Sequence, residues 1–205
     1  MKRADMLQHI FVLAGLIVLL AGCTSSSTQG TQASPSAQGT RSATPSLPIT
    51  QLKPEAPIPS MCPTTPIYRG GKQNVFVTSE IPWVQAQPTS SGIVGHLFYA
   101  PYTLAEKGSY RFLHTGGVYP TDGTNTKILW TIDHPNILAT VQIAGTNLSS
   151  PGKTFHQDID PTSSPIVVSP PSQYPSIIVV PNAGCWRLQV SSGQASGTII
   201  MWVVG

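Results

Sequence analysis

The amino-acid sequence predicts an all-β fold, an antiparallel sandwich of two stacked sheets, on three observations. Helix signals are nearly absent: 20 prolines and 18 glycines punctuate the chain, and no long stretch carries apolar residues at 3.6 spacing. Short segments instead alternate apolar and polar residues, the period of a pleated strand with one face on a core and the other in water. Turn-forming residues separate these segments roughly every 8 to 12 positions, the rhythm of a sandwich. The expected fold is immunoglobulin-like only in a loose sense, and a small β-barrel is the alternative.

Taken in order, the strand candidates begin at residues 93–99. In 127–132, Ile128, Trp130 and Ile132 share a face while Lys127 and Thr131 point away. Residues 139–143 place Val141 and Ile143 inward and Thr140 and Gln142 outward. Further strands are expected at 155–159, 166–169, 176–180, 185–190 and 198–204. Asp122-Gly123, Ser150-Pro151-Gly152, Pro170-Pro171, Pro181-Asn182 and Ser192-Gly193 supply the breaks between them. The strongest helical candidate is a single turn at 103–108.

The first 22 residues read as a leader to be removed. Lys2 and Arg3 give a positive end, and the run from Ile10 to Ala21 has no charge. At about 12 residues it is too short for a permanent span, which needs roughly 20. It closes in Leu20-Ala21-Gly22-Cys23. A plain secretory site needs small residues before the cut and nothing particular after it. Here a cysteine follows at once, the pattern of the bacterial lipobox, in which the thiol takes a diacylglyceryl group and becomes the new N-terminus. Lipidation at Cys23 makes the chain a lipoprotein, and stable anchoring follows once more than one acyl chain such as palmitate is attached. Thr24 is not the aspartate that commonly retains lipoproteins on the inner membrane, so the expected address is the outer membrane, or the outer face of the cell membrane in a host with one. Residues 23–60, built from Ser, Thr, Gln, Pro, Ala and Gly, read as a disordered tether reaching on the order of 30–35 Å.

Residues 61–205 form one ordinary domain. Removing Lys2, Arg3 and Asp5 from 11 basic and 8 acidic residues leaves 9 against 7, scattered along the chain. Such a balance offers no basic stripe, so nucleic acid is set aside as a partner. With Cys23 acylated, Cys62 and Cys185 are the two remaining thiols; in an exported chain an even pair suggests a disulfide, with two buried free thiols as the alternative. On its strand Cys185 lies opposite Trp186, Leu188 and Val190, unlike the core-spanning bridge of antibody domains.

Thr126-Lys127-Ile128-Leu129-Trp130, Ala144-Gly145-Thr146-Asn147-Leu148 and Pro181-Asn182-Ala183-Gly184-Cys185-Trp186-Arg187-Leu188 stand in that order along the chain. Over roughly residues 80 to 205 the chain resembles a group of uncharacterised bacterial lipoproteins that share these features. The resemblance implies a β-sandwich behind a lipobox and tether, and no activity.

Chemistry-bearing residues are sparse. His156, Asp158 and Asp160 alternate along a strand, so three side chains suited to a divalent cation share a face; the plainer reading is a solvated strand surface. Asp133 and His134 before Pro135 fit a turn start. His96 sits in an apolar strand, where a packed histidine is the expectation. His114 precedes Thr115-Gly116-Gly117, which lacks the helix and lysine of a phosphate loop. No nucleophile elbow is present, and no cofactor is expected. Trp83, Phe98, Tyr99, Tyr102, Tyr110 and Tyr119 gather in the first half; on loops such rings stack on sugars or anchor a partner, Tyr102 and Tyr119 being the binding candidates, while in a core they pack. The leading expectation is a non-catalytic envelope module binding a protein, an envelope polymer or a small solute. A metal-dependent envelope enzyme using His156 and Asp158, and a structural envelope subunit, are the alternatives.

Overall fold

The computed structural model describes residues 47–71, 80–133, 139–160 and 172–205, all within one compact unit spanning Ala43–Gly205. Two sheets carry the fold, and both are dominated by antiparallel pairing. The first orders six strands as β1 (Thr50–Gln51), β3 (Ile67–Arg69), β4 (Trp83–Gln85), β5 (Ile93–Leu97), β8 (Lys127–Ile132) and β11 (Ser172–Ile177). The second orders five as β10 (Thr154–Ile159), β9 (Val141–Asn147), β12 (Gly184–Ser192), β13 (Ala195–Val204) and β7 (Leu113–His114). A small parallel pair, β2 (Lys53–Pro54) with β6 (Ser109–Tyr110), completes the set. The one α-helix among the described residues is the short turn α1 (Tyr102–Glu106). No helix among them is long and apolar enough to cross a membrane.

The sandwich forms because each long strand presents an apolar face at period two. Ile128, Trp130 and Ile132 of β8 meet Trp186, Leu188 and Val190 of β12 and Ile199, Met201 and Val203 of β13 in one continuous buried cluster. Strands β12 and β13 make a nine-pair hairpin closed at Ser192↔Ala195. Its two-residue loop begins with Gly193 at φ +57°, the left-handed geometry that matches strand twist and favours glycine. Close approach fixes a second glycine. A Cβ on Gly145 would lie 2.1 Å from the Phe155 ring, which crosses over it from the neighbouring strand and packs 5.4 Å from Trp186, centroid to centroid.

The expected disulfide is present: Cys62 and Cys185 are joined across a sequence separation of 123, with Cα atoms 5.6 Å apart. Residues 47–60, which composition assigns to the tether, belong in part to the domain. Leu52 is buried in the core cluster, and the flanking dipeptides pair with β3 and β6. Leu52 between two short pairings, with Ile58 packed against the same cluster, orders a stretch that looks polar by average. Thr131, expected to face water, points to the outer face of its sheet yet is 4% exposed, beside fully buried His96 and almost fully buried Gln173. The expected strand at 166–169, the Pro170-Pro171 break, the leader and most of the tether lie outside the described residues.

Candidate functional site

The alternating trio on β10 comes together as a pair. His156 Nε2 lies 2.8 Å from Asp158 Oδ1, and both side chains are more than half exposed. Asp160 stands past the end of the strand, and no group of three His, Cys, Asp or Glu side chains among the described residues is arranged to hold a metal ion. The inward neighbour Gln157 serves the fold instead. Its amide donates to the Ile177 carbonyl at 2.8 Å and accepts from the Val179 N–H at 3.3 Å, clasping the rims of the two sheets.

Tyr119, a binding candidate by sequence, is a core residue at 3% exposure. Its hydroxyl donates to the Phe112 carbonyl, and the Arg111 guanidinium sits 3.5 Å above its ring centroid. Arg111 in turn ion-pairs with Asp122 at 2.9 Å. The Thr124 backbone N–H and then Arg111 hold the Asp122 carboxyl down to about 2. Burial pushes the Tyr119 phenol well above its usual range, so it stays neutral and bonded. Tyr99 and Tyr110 are buried beside this corner. The side chain of Tyr102 and the whole of His134 lie outside the described residues.

His96 is a packed histidine, as the sequence indicates. Its Nε2 is 3.3 Å from Thr131 Oγ1, and its Nδ1 has no hydrogen-bond partner among the described residues. Burial lowers its pKa from 6.5 to about 4, so the ring is neutral at physiological pH. His114 turns its Nδ1 to the Thr115 carbonyl at 3.1 Å and its ring toward Tyr119, an arrangement that closes a loop.

One concave feature was not singled out from sequence. Trp83 and Tyr68 are cross-strand partners on β4 and β3, with ring centroids 4.9 Å apart. Neither belongs to the core cluster; they lie on the outer face of the six-stranded sheet. With Gln85, Gln87, Thr65 and Thr89 they line a groove of about 400 Å³, within the size range of small-molecule sites. The groove is preformed. The Trp83 indole N–H donates to the Gly70 carbonyl at 3.1 Å, and the Gln85 amide nitrogen donates to the Ile93 carbonyl at 2.9 Å. The Thr65 hydroxyl accepts from the Ile200 N–H at 2.8 Å. Its signal in the sequence is the alternation Trp83, Gln85, Gln87 against inward Val84 and Ala86, hidden by the brevity of the strand.

Comparison with protein-family models, with curated proteins and with solved structures gave no match to this chain.

Proposed function

We propose that this protein is a lipid-anchored, extracytoplasmic module of the bacterial cell envelope that acts by contact rather than by catalysis. The observation that carries the reading is Leu20-Ala21-Gly22-Cys23 closing an uncharged run. A cysteine at the cleavage point has no role in an ordinary secretory signal, and acylation there converts a cleaved leader into a stable anchor. Two further features support it. The Cys62–Cys185 bridge belongs to an oxidising compartment, since cytosolic thiols of mesophiles are kept reduced. The preformed groove on the outer sheet face gives the domain a surface to bind with. The likeness to bacterial lipoproteins ending in a Gly-Cys-Trp strand agrees with this reading and adds no activity to it.

Fractionation in the native host tests the proposal. The wild-type chain is expected in the membrane pellet, digestible by protease that cannot enter the cytoplasm, and Cys23→Ser is expected to lose mature, detergent-phase protein. A wild-type chain recovered in the cytosol with Cys62 and Cys185 reduced would overturn it.

A further inference from the structure

We propose that the groove over Tyr68 and Trp83 is a binding site for a neutral saccharide, a reading that rests on the contact function proposed above and names its ligand class. Large aromatic side chains stabilise a fold mainly when buried in its core, yet Tyr68 and Trp83 are paired outside that cluster. Trp83, 9% exposed, backs the half-buried Tyr68, which makes Tyr68 the more accessible ring of the pair. A pyranose complements such a ring, with a patch of C–H groups on one face and hydroxyls around its edge.

Of the remaining lining, Thr65, Gln85, Gln87 and Thr89 match that edge, while Ile49 and Pro66 extend the apolar floor. Gln85 is held by its amide nitrogen, which leaves its carbonyl oxygen free to accept a hydroxyl proton. Gln87 is exposed two residues along the same face and carries both a donor and an acceptor. Thr65 accepts from Ile200 through its hydroxyl oxygen and keeps its own proton to donate. Among the described residues no charged side chain lines the groove, and the polar groups they offer suit neutral hydroxyls better than an acidic sugar or a phosphate, whose desolvation they would not repay. Anchored aromatic and amide groups also lower the ordering cost of binding.

The test is calorimetric titration of the lipidated protein in lauryldimethylamine oxide, a detergent without a sugar headgroup. The probes are maltotriose, cellotriose and chitotriose, with trigalacturonate and decaproline as acidic and peptide comparators. At least one neutral trisaccharide is expected to bind more tightly than either comparator. Tyr68→Ala is expected to weaken it by about tenfold or more at unchanged melting temperature. Gln87→Ala, an exposed position, decides the matter if Tyr68→Ala proves unstable. A trisaccharide that outbinds its own monosaccharide assigns a polymer segment; equal affinities assign a free sugar. Silence with all three trisaccharides, tighter binding of trigalacturonate or decaproline, or unchanged affinity in both folded variants would overturn the site. A protein that stays membrane-bound yet binds no sugar loses this inference alone, whereas a cytosolic protein that binds sugar loses the envelope reading alone.

Discussion

A few residues show how polar groups are made to live inside this sandwich. His96 is fully buried, and burial rather than any charge neighbour sets its pKa at about 4. The unfolded chain takes up this proton as pH falls below 6.5, while the folded state resists until about 4. Stability from His96 is therefore complete above pH 6.5 and is lost as pH drops through that window, at most ~3 kcal/mol. Urea melts between pH 7 and 4 should show this slope. His96→Gln, which can still reach Thr131, should flatten it even if it lowers stability overall; an unchanged slope would assign the effect to other groups. Asn147, 1% exposed, solves the same problem with bonds. Its Oδ1 accepts from the Ser149 and Ser150 N–H groups at 2.8 and 2.9 Å, and its amide donates to the Ala183 carbonyl at 3.2 Å. Asn147→Ala should cost about 2–3 kcal/mol, because several backbone groups lose partners at once.

At the scale of elements, length governed most of what the sequence could reveal, with six-residue β11 the exception, expected at 176–180 and found at Ser172–Ile177. Strands β8, β9 and β12 run six to nine residues, long enough for two or more full alternations, and the inward residues read from their sequences are buried. Strands β1 to β4, β6 and β7 have two or three residues each. Two residues cannot display a period, so these pairings are set by tertiary contact. The same brevity concealed the outer face of β4, and with it the groove. By sequence Tyr119 stands open between a binding loop and the core, because Pro and Gly surround it; the core reading holds, since its hydroxyl finds the Phe112 carbonyl and its ring finds Arg111. The most confining element contact is that of Phe155 over Gly145. In Gly145→Ala the ring must leave the space a methyl would fill, giving up its packing on Trp186. We expect a loss of about 1–3 kcal/mol and a changed near-ultraviolet circular dichroism signal, with far-ultraviolet strand content kept. Wild-type stability in that variant would mean the contact is looser than described.

For the whole molecule, the disulfide was legible because the proposed acylation at Cys23 would leave just two thiols, and the structure joins them. Its span of 123 residues ties the entry of the domain to the sheet containing β12. In the chain-entropy model such a loop contributes about 5 kcal/mol, and measured bridges usually give roughly 2–4. Complete reduction should lower the melting temperature on the order of 10 °C. An unchanged melt, with two thiols titrated, would show that the sheets hold without it. Beyond the domain, the proposed function turns on whether Cys23 carries lipid. Intact-protein and N-terminal peptide mass spectrometry from the native host is the most direct measurement. The account predicts a mature chain beginning at Cys23 with a diacylglyceryl thioether on its sulfur. A retained leader, or an unmodified thiol at Cys23, would contradict it.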